Sequence, residues 1–172
     1  MHNPFSDIGG LHTEHYQLRR TIATDLEPLF AVASDPEIWA QHPESDRWRR
    51  EKFEAFFEGA LANPLGSFTI VEKSSASIIG STRFYGYQSA TQAVRIGYTF
   101  IAKCYWGSGA NREIKMAMLS LAFDHVDRVY FDIGADNHRS RRAVEKLGAV
   151  LDHITTDRKA VYVLAKDTLV LG

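Results

Sequence analysis

Cysteine is nearly absent from this 172-residue chain: the single Cys104 rules out an internal disulfide and a multi-cysteine zinc cluster, and fits a reducing compartment, with the cytoplasm as the expected location. Neither sign of charge is in excess. Twenty Lys and Arg stand against 21 Asp and Glu, so no global field draws the chain to nucleic acid or to an anionic membrane. Any anionic ligand must then be held by local geometry. No run of about 18 uncharged apolar residues occurs, and the opening MHNPFSDIGG lacks a basic stretch followed by an apolar one, so neither a membrane span nor an export signal is expected. The seven histidines show no H-x-x-x-H spacing, and no metal is expected.

What is present is the make-up of a soluble folded domain, 45% hydrophobic and 24% charged. Residues 1–15, rich in Gly, His and Asn without periodicity, read as a loose, flexible N-terminal arm, and residues 16–172 as a single domain. A first strand falls near Tyr16 to Ile22. Thr24 and Glu27 have the spacing of a capping box, after which Leu26, Leu29, Phe30 and Ala33 recur at helical intervals until Asp35-Pro36. A short helix and loop over residues 37–48 lead to a second helix, about Arg50 to Ala62. Runs at 67–72, 77–87 and 93–102, separated by short polar turns, predict an antiparallel meander.

From Ser108 to Val126 the period becomes helical, with Ile114, Ala117, Met118, Leu121, Ala122 and His125 at i, i+3, i+4, i+7, i+8 and i+11. A strand over 128–133, a short helix over 139–147 closed by Gly148, and a last strand over 161–164 complete the pattern. Strand, glycine turn, long helix and strand make a βαβ unit with parallel neighbours. The sheet is therefore mixed and the fold class α+β.

The turn AKCYWGSGANR (102–112) places Gly107 and Gly109 where a strand hands over to the strongest helix. Glycines let the backbone approach a ligand, and the first N–H groups of a helix, at the positive end of its dipole, favour a bound phosphate. A dinucleotide GxGxxG fails at Arg112, and a Walker GxxxxGK[ST] does not occur. The remaining GxG reads equally as a structural turn or a ligand loop.

Two stretches, GYTFIAKCYWGSGANREIKMAML (97–119) and IGADNHRSRRAVEKLGA (133–149), resemble the GNAT superfamily of N-acetyltransferases. The YWGxG turn, the N-x-x-S after the next strand and the EKLGA ending are similar to its RimJ/RimL branch. So are Leu18 to Ile22, LEPLFAVASDPEIW (26–39) and IIGSTRFYGY (78–87), and the likeness covers most of the chain. It implies a three-layer fold in which helices flank a mostly antiparallel, splayed sheet. The parallel fourth and fifth strands, 93–102 and 128–133, would part to admit acetyl-CoA as acyl donor.

The resemblance further implies that backbone groups around Phe100 and Ile101 pair with the pantetheine arm, and that Trp106, Gly107, Ser108, Gly109, Ala110 and Asn111 hold the pyrophosphate. Asn137 would bond the pantetheine chain, while Ser140, near the sulfur, would position the departing thiolate or give it a proton. Two positions depart from the pattern. Cys104 stands where relatives carry Gln or Arg, and Arg95 stands where they often carry a Glu that relays a proton from the amine.

Plainer readings stand beside these. Asn and Ser are first-rank helix caps, which accounts for Asn137 and Ser140 without a ligand. Gly97 serves a close backbone approach or simple packing. Arg139, Arg141, Arg142 and Lys146 offset the charges of CoA or form a solvated face, with Arg142 favoured as a phosphate contact. Glu113 suits a helix N-terminus and reads as structural. His42, in a loop that in the family overhangs the acceptor side, accepts an amine proton or is a surface residue. Trp39, Arg47 and Trp48 line the same pocket unless the tryptophans are core, and Asp46 or Glu44 attracts a cationic amine. Cys104, with no visible His partner, is not read as a nucleophile.

The expected activity is acetyl transfer from acetyl-CoA to a primary amine, a protein N-terminus or a small molecule, by direct attack in a ternary complex. A backbone N–H at the end of the fourth strand would stabilise the developing oxyanion. The alternative is a scaffold of the same fold that binds acyl-CoA or a partner protein without turnover. A homodimer is the commonest assembly for chains that associate.

Overall fold

The computed structural model describes residues 2–169. Eight strands form one sheet in the order β1-β2-β3-β4-β5-β6-β8-β7. Their ranges are β1 Gly10–His12, β2 Tyr16–Arg20, β3 Ser67–Glu72, β4 Ile78–Gln88, β5 Ala93–Ile101, β6 Arg128–Gly134, β7 Val150–Ile154 and β8 Lys159–Ala165. All neighbours run antiparallel except β5 and β6, so the sheet is mixed and the fold α+β, as the pattern of runs implies. Two strands escape the sequence reading. β1 has three residues, and β7 is exposed along its whole length, so neither carries the apolar alternation that marks a strand.

Among the described residues, five α-helices flank the sheet: α1 Leu26–Ala33, α2 Pro36–Trp39, α3 Arg50–Ala62, α4 Ala110–Ala122 and α5 His138–Lys146. In α3, Phe53, Phe56, Phe57 and Ala60 recur at i, i+3, i+4 and i+7 and bury one stripe against Leu29, Ala33, Trp39 and Phe100. It stops at Asn63, because the residue before Pro64 is disfavoured in helical geometry. In α4 the buried stripe is Ala110, Ile114, Met118, Leu119 and Ala122, packed with Val144 of α5 and the strands. The helix ends before His125, which is exposed, and Leu119 replaces the expected Ala117 and Leu121 at the stripe's centre. Phe100 and Ile101, consecutive on β5, belong to these two different cores. Successive strand residues point to opposite faces, so the cores lie on the two sides of the sheet and the layers number three.

The arm expected to be loose is anchored over its described part. Phe5 is fully buried with its ring 4.9 Å from that of Phe84, and Arg20 donates to the carbonyls of Phe5, Ser6 and Ile8. Glu113, read from sequence as a helix-dipole partner, accepts hydrogen bonds from Thr13 Oγ1 and His15 N, tying this segment to α4. The expected capping box is replaced as well. Asp25 accepts the Ile22 N–H at 3.0 Å and both Arg19 terminal nitrogens at 2.8 Å, and Glu27 pairs with Arg50. Among the described residues, no helix is long and apolar enough to cross a membrane.

Candidate functional site

The parallel pairing of β5 with β6 lasts three residues, from Ala93↔Arg128 to Arg95↔Tyr130. Beyond it β5 stays with β4 as far as Ile101↔Gly80, and β6 stays with β8 as far as Gly134↔Lys159. The strands part. Each keeps a facing edge whose backbone N–H and C=O groups have no ladder partner across the gap, and such groups need a partner or water. A cavity of about 510 Å³ occupies the opening.

A β-bulge shapes the β5 side. Ser81 pairs with Phe100 but Arg83 pairs with Gly97, so Tyr98 and Thr99 oppose the single residue Thr82. Tyr98 takes φ +54°, rare for a non-glycine residue. Gly97 lies on the cavity wall, yet the space of its missing side chain is taken: a Cβ there would stand 2.9 Å from Tyr85 Cε1. Of the two readings of this glycine, packing is the one the geometry bears out. Phe100 and Ile101 line the cavity.

At the end of β5 the chain turns through Trp106, Gly107 and Gly109 into α4, and these residues with Asn111 line the same cavity. Gly107 and Gly109 have φ of +72° and +89°, and a Cβ on either would meet nothing within 4 Å. The turn therefore needs glycine for its backbone and leaves open space beside the first turn of a helix, whose N–H groups have no intrahelical acceptor. Two expected residues do not line the cavity. The Ser108 hydroxyl bonds the Tyr105 carbonyl and the Ala110 N–H, and the Ala110 side chain is core. Cys104 is an exposed free thiol in the preceding turn.

Facing this turn, Asn137 caps α5 by accepting the Ser140 N–H at 3.4 Å and, only 5% exposed, also lines the cavity. Capping and a place on the cavity wall are thus not exclusive here. Ser140 lines it too, and its hydroxyl makes no hydrogen bond among the described residues. The basic cluster divides. Arg142 and Lys146 reach the cavity with Arg112, whereas Arg141 turns away to Tyr162 Oη and the Ala135 carbonyl. Arg139 stacks on Trp106 at 3.6 Å and donates to the Ile38 carbonyl.

His42 lines the cavity beside Trp39, whose own Nε1 donates to the Ala33 carbonyl in the core. Its Nδ1 accepts the Glu44 N–H at 2.9 Å, which leaves the ring proton on Nε2. Burial, with Arg47 and Lys159 nearby, lowers its pKa to about 4. Arg47 does not reach this cavity and lines a second one, with Glu44 and Asp46.

Sequence reasoning missed three charged groups, two on this cavity and one on the second. Asp132 of β6 accepts from Tyr85 Oη at 2.9 Å and from Arg95 Nε at 2.8 Å, so Arg95 pairs with an acid across the parallel strands. Lys115 of α4, 7% exposed, lines the cavity with Thr99 Oγ1 at 3.4 Å, and burial lowers its pKa to about 8. Arg83 is buried in the middle of β4. The available signal was a charge inside an apolar pattern: Arg83 between Ile79 and Phe84, Lys115 beside Ile114 on the stripe of α4.

The family model described as "Acetyltransferase (GNAT) domain" matches residues 16–150. No curated protein matches the chain. Among solved structures, a protein of T. thermophilus assigned as an acetyltransferase is similar at 26% identity, covering 94% of this chain and 91% of that one, with TM-score 0.75. A Vibrio cholerae protein assigned as a ribosomal-protein-serine acetyltransferase is 17% identical over 93% of this chain and 98% of its own, with TM-score 0.73. The spermidine N-acetyltransferase of Vibrio cholerae, solved with CoA and spermine, is 15% identical over 90% and 97%, with TM-score 0.66. The last two likenesses speak to the fold alone.

Proposed function

The chain belongs to the GNAT acetyltransferase family, and from that premise we propose that it moves an acetyl group from acetyl-CoA to a primary amine by direct attack in a ternary complex. The observation that carries this reading is the parting of β5 and β6 after Arg95 and Tyr130, beyond which the two strands no longer pair with each other and a cavity of about 510 Å³ lies between them. The cofactor supplies the activated acyl group as a thioester. The open space beside Gly107 and Gly109 fits its pyrophosphate, with Trp106, Asn111 and the backbone of Ser108 and Ala110 completing the turn and Arg142 as the cationic contact. Backbone groups at Phe100 and Ile101 and the amide of Asn137 bond the pantetheine chain.

Catalysis on this reading is mostly positioning. A backbone N–H of β5 beyond the bulge stabilises negative charge developing on the acyl oxygen, an effect commonly worth about 3 kcal/mol per donor. Ser140, with its hydroxyl uncommitted, holds the departing sulfur or gives it a proton. Trp39, His42 and Arg47 stand on the acceptor side, where His42 offers its Nε2–H as a donor rather than taking up the amine proton. Asp132 is the carboxylate on the cavity wall closest in kind to the missing Glu.

Calorimetric titration of acetyl-CoA into the wild type and Gly109→Trp tests the cofactor site. Low-micromolar binding that is lost in the variant supports the reading, and no binding at millimolar acetyl-CoA sinks it. Turnover of an amine panel separates an enzyme from a scaffold of the same fold, and product-inhibition patterns of a ping-pong enzyme would count against direct attack.

A further inference from the structure

Between α3, the 44–47 turn and strands β4 and β5 lies a second pocket, of about 350 Å³. Tyr98 lines both pockets, so the bulge of β5 joins them. The second pocket is built around a cation. Arg83 is 6% exposed, its guanidinium stacks on Tyr98 at 4.2 Å and on Phe56 at 4.5 Å, and Gly59 of α3 leaves it room. It makes one hydrogen bond, from Nη2 to the Phe56 carbonyl at 2.7 Å, while its buried Nε has no partner among the described residues. The groups that act on it electrostatically are Tyr98, Tyr85 and a second cation, Arg47; no carboxylate is among them. Arg47 itself stacks on Phe56 and Trp39. The two acids of the pocket act on Arg47 rather than on Arg83: Glu44 is exposed, and Asp46 stands 3.7 Å from Lys52 Nζ.

A buried charge without a counter-ion is costly unless something pairs it. A guanidinium with an unused N–H on its fork is shaped for a carboxylate, and aromatic walls that exclude water strengthen the pair. We propose that this pocket takes a carboxylate on the acceptor, so that the amines acetylated here are ones that also carry that group. The inference rests on the acetyltransferase reading and deepens it. The carboxylate comes from a free amino acid or from an acidic side chain at a peptide N-terminus; a polyamine meets two like charges instead.

The test uses matched pairs on the full chain, with release of the CoA thiol as the readout: alanine against alaninamide, and Asp-Ala-Ala-amide against Asn-Ala-Ala-amide, with spermidine beside them. In at least one pair the carboxylate member is expected to have kcat/KM at least about tenfold above its neutral twin, and the pair that responds identifies the source. Arg83→Met should close that gap through KM, Arg83→Lys should keep part of it, and acetyl-CoA should bind Arg83→Met with unchanged Kd, which also shows that the variant is folded. Calorimetric titration of the same pairs reads recognition without turnover. Neutral twins or spermidine that bind or react as well as the carboxylates, or a gap that survives in Arg83→Met, overturn the proposal while the acetyltransferase reading stands. Failure of the wild type to bind acetyl-CoA removes the reading and this proposal with it.

Discussion

The guanidinium of Arg139 lies 3.6 Å from the centroid of the Trp106 ring, and that stack joins the turn after β5 to α5 across the opening between the parted strands. Both residues line the cavity. A ligand that fills it must change the surroundings of Trp106, so acetyl-CoA should alter tryptophan emission in the wild type more than in Trp106→Phe, where Trp39 is the tryptophan left on the cavity wall. Arg139→Leu, which removes a half-buried cation–π contact, should lower stability by about 0.5–2 kcal/mol in urea unfolding. Equal emission changes in wild type and Trp106→Phe would place the ligand elsewhere.

Tyr85 lies in the space that a side chain at position 97 would need, and its hydroxyl donates to Asp132 at 2.9 Å. Gly97→Ala should therefore push Tyr85 off Asp132 and cost about 1–3 kcal/mol as overpacking. Tyr85→Leu in the same chain should recover part of that loss, because the two changes share one contact and are not additive. Thermal unfolding of the two singles and the double gives the coupling, and additive losses would show that Tyr85 is not what the glycine accommodates.

The sequence made the helices and central strands legible because their apolar residues repeat at the right period: Phe53, Phe56, Phe57 and Ala60 define α3 without a neighbour. It also located the turn at Gly107 and Gly109, since positive φ and space beside a helix start favour glycine. What stayed hidden was set by pairing at a distance. The bulge at Tyr98 depends on register with β4, Asp132 gains its role from Tyr85 and Arg95 on other strands, and Phe5 is core only because Phe84 lies beside it. His42 was found by residue type, but its tautomer comes from the Glu44 backbone and its low basicity from burial.

Lys115 makes a prediction in which the pH dependence has a definite sign. Burial lowers its pKa to about 8 in the fold, below the value near 10.4 of an unfolded chain. Between those values the unfolded state binds more protons, so Lys115 contributes stability that increases as pH rises from about 8 to about 10. Below that window the buried ammonium is a cost. Lys115→Met should raise stability at pH 7 by up to about 3 kcal/mol and flatten the rise above pH 8, measured by urea unfolding without ligand. A variant less stable than the wild type at pH 7 would mean that the ammonium has a partner that the bond to Thr99 Oγ1 does not account for.

His42 separates two accounts of how the amine loses its proton. With Nδ1 accepting from Glu44 N–H and a pKa near 4, the ring is neutral across the neutral range and has no free lone pair facing the cavity. A general base with that pKa would be a weak one at pH 7, since efficiency is greatest when the pKa lies near the working pH. His42→Gln keeps a donor and should lower kcat/KM less than about tenfold, leaving the shape of the pH profile from 6 to 9 unchanged. The profile is then set by protonation of the amine itself. Loss of a limb near pH 6 to 7 in His42→Gln would return the histidine to the role of base, and would require its Nδ1 bond to break when the acceptor binds.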